Sequence, residues 1–260
     1  MLSIQMKTFW WLVWRDIRIL FTNIISTIFD SLILPISFIL INGYVMPALG
    51  TPESYGSFMV LGWFIIMSLN TQSTAAGDLV TDMSTNKAIY YELTLPLPYW
   101  LTYVKYGIVY AVKSMIANMG VIPLGILLLF KRFNLAGLCV YKALLFFVVM
   151  NIFLASISLI SAVSSKTSDS YWRFWLRWGW QLLNWGGLCA SWFTMHKIFP
   201  RLALIDLLNP FVYIFDGMRS AILGQSGYLN FWLCLGVTLL VSLAFGYIGV
   251  RIFKKRMDCV

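Results

Sequence analysis

Residues 207–224 read LLNPFVYIFDGMRSAILG. The stretch is nearly apolar enough to enter a lipid bilayer, yet Asn209-Pro210 interrupts it, and Asp216 and Arg219 lie three residues apart within it. Three readings are open: a transmembrane span, a soluble helix, or a segment that enters the bilayer and turns back. The rest of the chain decides among them. Of the 260 residues, 60% are hydrophobic and 11% charged, and the mean hydropathy is +0.80. Soluble domains carry about a quarter charged residues, so this is the composition of an integral membrane protein. No long polar segment remains to build a soluble domain, and residues 1–260 read as a single transmembrane domain.

A helix crosses a bilayer with about 20 apolar residues. Six runs approach that length: 24–46, 58–76, 106–130, 137–161, 178–195 and 229–252. The expected fold is therefore an all-α integral membrane protein with six transmembrane helices. Residues 1–23 form a different kind of helix. Lys7, Trp11, Arg15, Arg18 and Thr22 make one stripe, and Trp10, Val13, Trp14, Ile17, Leu20 and Phe21 the opposite face. A basic amphipathic helix rich in Trp lies along a membrane surface. It is no signal peptide, because Arg15, Asp16 and Arg18 break its short apolar run and no cleavage site follows.

Cytoplasmic flanks collect Lys and Arg, which fixes orientation and parity together. With both termini inside, the inner side holds Lys7, Arg15, Arg18, Lys87, Lys105, Lys166, Arg173, Arg177, Arg251, Lys254, Lys255 and Arg256. The outer side holds half as many: Lys131, Arg132, Lys142, Lys197, Arg201 and Arg219. A seventh crossing at 207–224 would turn the KKR tail outward, so an even number is favoured. Asn209-Pro210 instead separates two short helices, because proline lacks a donor and biases the residue before it away from helical angles. Asp216 and Arg219, at i and i+3, are placed to pair and lower the cost of lying near lipid. Residues 199–226 are accordingly read as a re-entrant element on the outer face.

The net charge of +9 comes from residues scattered at span ends, which suits phospholipid headgroups and not nucleic acid. Cys139, Cys189, Cys234 and Cys259 lack metal or disulfide spacing and read as small buried hydrophobes. His196 is the one histidine, and it has no Ser or Cys motif around it. An embedded enzyme is thus the weaker reading, and neither a catalytic residue, a metal nor a cofactor is expected in this chain. An ion-coupled transporter built on inverted repeats would pair interrupted helices in its two halves, whereas only the C-terminal half carries such a break. Asp30 and Lys113 lie inside apolar runs, where ionisable groups are functional candidates by default.

Several motifs occur in a particular order. WRDIR lies on the amphipathic helix, GYVMPALG closes the first span, and LTLPLPYW sits between the second and third. HKIFPRLALIDLLNPFVYIFDGMRSAILG precedes the last. In this layout the chain resembles the membrane-spanning (permease) subunits of type-2 ABC exporters, which move drugs, nodulation lipo-oligosaccharides, or O-antigen and capsular polysaccharides. That family carries an FP element, an NP and a (D/E)xxR before a short re-entrant helix. RILFTNIIS departs from the basic, glycine-containing segment of the polysaccharide branch, and the second proline of the FP…LP element is absent. Both departures bring the chain nearer to the drug and lipo-oligosaccharide exporters, with the polysaccharide exporters as the alternative.

The resemblance implies a multi-pass protein of the cytoplasmic (inner) membrane, paired with a second copy as a homodimer and with two ATPase subunits. No GxxxxGK[ST] loop is present, so ATP and Mg would be bound by the separate ATPase. Its docking site would be the cytoplasmic coupling loop, residues 78–103, through Lys87, Ile89, Tyr90, Tyr91, Glu92, Leu93 and Pro96. Trp178, Trp185 and Trp192 recur every seven residues, with Gln181, Asn184 and Ser191 nearby. Flat aromatic faces and amides suit a path for an amphiphilic or glycosylated substrate. A Trp belt at the membrane interface accounts equally for Trp172, Trp175, Trp178 and Trp180.

Overall fold

The computed structural model describes residues 2–22, 24–86, 88–133 and 137–258. Lys87 and Cys259, named above, lie outside them. Among the described residues the chain is all-helical, with no strand. The helices are α1 (Leu2–Thr22), α2 (Ile24–Ala48), α3 (Tyr55–Thr81), α4 (Ala88–Leu93), α5 (Tyr99–Leu129) and α6 (Val140–Ser164). They continue with α7 (168–188), α8 (Trp192–Ile198), α9 (Pro200–Asp206), α10 (Pro210–Ile222) and α11 (Phe231–Asp258). Four of these, α2, α5, α6 and α11, are long and apolar enough to cross a membrane. The architecture is that of a membrane protein.

The two remaining apolar runs differ from the four for physical reasons. Run 58–76 lies inside α3, whose 27 residues would reach about 40 Å. Its second half holds Asn70, Thr71, Gln72, Ser73, Thr74 and Asp78, which lower its hydropathy. Such residues are tolerated because α3 is the centre of the bundle, packed by α2, α5, α6, α7 and α10. Gln72 Nε2 donates to Asn151 Oδ1 on α6 at 3.0 Å, and Ser114 Oγ on α5 donates to the Ser68 carbonyl at 3.1 Å. Asn118 Nδ2 donates to Thr71 Oγ1 at 3.2 Å, and the Tyr171 hydroxyl on α7 to the Ser73 carbonyl at 2.7 Å. Bonds between helices in a membrane contribute about 0.6 kcal/mol each. A helix wrapped by other helices has no need of an apolar surface.

Run 178–195 is not one helix. α7 starts ten residues earlier, at Ser168, where the Thr167 hydroxyl accepts from the Ser170 N–H and caps it. Its last turn is broken at Gly187, whose φ of +107° is strained for any residue with a Cβ. Ser191 then caps α8 by accepting from the Thr194 N–H. The seven-residue Trp spacing therefore breaks between Trp185 and Trp192, which lie on different helices.

Segment 207–224 resolves into α10 and its flanks. Asn209 caps α10, its Oδ1 accepting from the Phe211 N–H at 3.1 Å while its Nδ2 donates to the Leu182 carbonyl at 2.8 Å. Pro210 takes the first helical position, where no N–H is needed. The 13 residues of α10 span about 20 Å, short of a bilayer core. Every residue from Phe211 to Ile222 except Tyr213 is buried, packed on α6, α11, α3 and the end of α7. Ser191, Thr194 and Lys197 line one common cavity with Leu223, Ser226 and Tyr228, so the two ends of the intervening segment lie close together.

Asp216 and Arg219 do not pair; this corrects the sequence expectation. Arg219 turns away and donates to the carbonyls of Gly187, Leu188 and Phe58 while its guanidinium stacks 3.4 Å over the Phe58 ring. Asp216 Oδ2 accepts from the Leu229 N–H at 3.4 Å. The broken end of α7 leaves carbonyls without helical partners, and Arg219 fills that need. The cysteines divide too: Cys234 is buried, Cys139 half-buried and Cys189 exposed.

Candidate functional site

Two places in the fold gather the polar chemistry. The first is a charged cluster where α1, the α3–α5 loop and α5 meet. Phe9, Leu12 and Val13 of α1 bury against Leu97 and Leu101, so α1 docks through a protein-facing stripe while Trp10, Trp11 and Trp14 stay exposed. This brings Arg15 and Asp16 to Glu92. Lys105 Nζ, on a side chain 1% exposed, lies 2.5 Å from Glu92 Oε2 and 3.1 Å from Asp16 Oδ2. Arg15 Nη2 sits 2.6 Å from Glu92 Oε1, and the Tyr106 hydroxyl donates to Glu92 Oε2 at 3.0 Å. Three elements, α1, α4 and α5, are clamped through one carboxylate.

The anticipated coupling residues separate accordingly. Ile89 is buried, and its N–H donates to Asp82 Oδ2 at 2.9 Å. Glu92 faces inward, whereas Tyr91 is 72% exposed and Thr94 and Pro96 are also exposed. Tyr90 and Leu93 lie on α4 between them. The exposed residues of this segment are Tyr91, Thr94 and Pro96. Nothing in the sequence separated these from Glu92, because the donors that turn Glu92 inward come from Lys105 and Arg15.

Burial alone would raise the Glu92 carboxyl, but the hydrogen bond and charge of Lys105, with Arg15 and Tyr106, outweigh it and hold it below the usual range. A depressed folded value makes this contribution complete above the unfolded carboxylate value of about 4.3. It is lost as pH falls from there through the folded value. Thermal melts of the purified protein are expected to be flat in this respect from pH 8 to 5 and to fall in more acid buffer. Glu92→Gln should flatten that acid limb. An identical acid limb in the variant would remove Glu92 from its cause.

The second place is a set of three cavities around α3. One, of about 590 Å³, opens at its Tyr55 end; a second, about 360 Å³, lies beside Trp63–Ser73; a third, about 320 Å³, lies beside Ala75–Asp82. Asp16, Asp78, Asp82, Tyr106, Tyr110 and Lys113 line the third, so Lys113 sits among carboxylates, while Asp30 is exposed with Ser26 Oγ 3.5 Å from its Oδ2.

The middle cavity is aromatic. Phe38 stacks on Trp63 at 3.7 Å between centroids, and Trp172, Trp175, Trp180 and Leu183 close it from α7, with Asn70 and Ser73 as its polar groups. The indole N–H groups of Trp63 and Trp175 have no acceptor among the described residues. Trp178, Gln181, Asn184 and Trp185 do not line this cavity. They are exposed on the other faces of α7, and Asn184 Nδ2 bonds back to the Trp180 carbonyl at 2.8 Å. Ser191 and Trp192 lie past the helix break; Trp192 donates to the Ala203 carbonyl at 2.8 Å and carries His196 against its ring.

A bound aromatic amphiphile would touch Trp180 and not Trp185. An aromatic contact contributes about 1 kcal/mol beyond the area it buries. Trp180→Ala is therefore expected to weaken binding of Nile red to the purified protein about fivefold. Trp185→Ala should leave it within about twofold. Equal weakening in both, by fluorescence titration, would exclude the middle cavity as the binding site.

No protein-family model matches the chain, and no curated protein is significantly similar to it.

Proposed function

We propose that this chain is the permease subunit of an ATP-driven exporter of the type-2 ABC class, carrying an amphiphilic substrate across the cytoplasmic membrane. In this reading α2, α3, α5, α6, α7 and α11 are six crossings, and α1 lies on the cytoplasmic surface with both termini inside. Segments α9 and α10 form the re-entrant element of the outer face. A separate ATPase binds ATP and Mg, and a second copy completes a homodimer across the exposed, aromatic faces of α7. The drug-like, lipid-like or lipo-oligosaccharide substrates suit an aromatic cavity at mid-bundle better than a sugar polymer does.

The observation that carries the proposal is the mounting of α4. A short helix in a polar loop exposes an aromatic tip, Tyr91, and is tied through Glu92 to both the surface helix and the start of α5. A partner that pushes on Tyr91 moves two elements of the membrane domain at once. An exposed aromatic anchor on a rigid mount is what a docking groove uses.

The chain alone is expected to hydrolyse no ATP. Tyr91→Ala should reduce recovery of the ATPase that purifies with the chain from native membranes. The reduction should exceed about tenfold, because an aromatic hot spot contributes about 2 kcal/mol or more. Membrane insertion should be unchanged. Full recovery and full nucleotide hydrolysis with Tyr91→Ala would overturn the docking assignment.

A further inference from the structure

The cavity at the Tyr55 end differs in character from the aromatic one. Its wall carries the hydroxyls of Ser54, Ser57, Ser191, Thr194 and Ser226 among apolar side chains such as Phe58 and Phe193. Lys197 is the one cation on it, and no carboxylate lines it. Beneath the Phe58 wall lies Arg219, 0% exposed. Its guanidinium is held by carbonyls and a ring face rather than by a carboxylate, and its Nε has no acceptor. A buried cation with no carboxylate in direct contact contributes positive potential to its surroundings, offset in part by buried Asp216 one turn earlier on α10. A hydroxyl-lined hollow with one mobile cation at its wall and a second fixed behind it attracts negative charge.

We infer that this cavity binds the anionic, hydroxyl-bearing headgroup of an amphiphile, with Lys197 as the direct ion-pairing residue and the hydroxyls as hydrogen-bond partners. Arg219 acts at longer range. With Nη1 and Nη2 occupied by the carbonyls of Gly187, Leu188 and Phe58, it contributes field and not contact. Apolar Phe58, Phe193 and Leu223 accept the first carbons of the attached chain. The volume of about 590 Å³ is within the range of small-molecule sites, about 300–1,000 Å³. This site is separate from the transport reading, since it requires neither ATP nor a partner.

Cys189 lines the same cavity and is exposed, which supplies a native reporter. The purified chain is labelled with a charged maleimide, and modification at Cys189 is followed by peptide mass spectrometry, alone or with dihexanoyl-phosphatidylglycerol. Labelling should slow about tenfold when the lipid is at about ten times its dissociation constant. Dihexanoyl-phosphatidylcholine should give no protection. Lys197→Gln should abolish protection while leaving the rate without lipid unchanged. Protection by glycerol phosphate alone would assign the same anion site to a soluble headgroup. Equal protection by the zwitterionic lipid, absence of protection by the anionic one, or full protection in Lys197→Gln would each overturn the inference.

Discussion

Lys105→Met is expected to lower the melting temperature of the solubilised protein by roughly 6–20 °C. The side chain is 1% exposed and bridges two carboxylates on different elements. Removing one partner of a buried ion pair costs about 3–5 kcal/mol, because the remaining charges stay buried and uncompensated. Each kcal/mol moves the midpoint of a chain this size by about 2–4 °C. Glu92→Gln combined with Lys105→Met leaves Asp16 to Arg15, its neighbour at 2.7 Å, and should restore at least half of the loss. A deeper loss in the double variant than in the single would show that Lys105 stabilises by packing and not by charge. The same pair separates stability from coupling: Tyr91→Ala should leave the melt unchanged, since that ring is exposed.

What the sequence made legible follows from where each signal originates. The helices α2, α5, α6 and α11 were readable because apolar side chains run over a whole span of each. α3 was readable only in part. Its polar half pairs with Asn151, Ser158 and Tyr171, and no local pattern announces partners that distant. The break in α7 had a local signal, the Gly186-Gly187 pair, yet a GG in an apolar run reads as well for close packing. Gly186 does pack closely, against Phe211, while Gly187 adopts the positive φ. One dipeptide served both purposes.

The charged residues were the least legible. Asp216 and Arg219 are correctly spaced for a helical pair, and the rule fails because Arg219 has a stronger demand elsewhere. Carbonyls freed at the end of α7 are buried, and a buried carbonyl without a donor costs about 1–3 kcal/mol. An arginine reaching across from α10 meets several at once. Neutralising both Asp216 and Arg219 is therefore expected to destabilise about as much as Arg219→Ala alone, the reverse of what an isolated pair would give.

The proposed re-entrant topology makes an all-or-none prediction. Ser191, Thr194 and Lys197 share one cavity with Leu223, Ser226 and Tyr228, and Asn209 bonds to Leu182, which precedes the break in α7. In that reading the chain runs inward through α9 to the level of Leu182, and α10 returns to the level of the α6 start, where the Cys139 N–H donates to the Ala221 carbonyl at 3.0 Å. Lys197 and Gln225, both exposed, flank that excursion. Single cysteines placed there, in a background without the native four, should both react with an impermeant thiol reagent added outside intact cells. A cysteine at Lys254, near the other end of α11, should react only after the membrane is opened. Labelling at Lys197 without labelling at Gln225 would require α10 to cross the bilayer. Its roughly 20 Å length cannot do so without drawing the buried Asp216 and Arg219 through the hydrocarbon, where a charged group at the centre costs about 2.5–3.5 kcal/mol even by the lower scales.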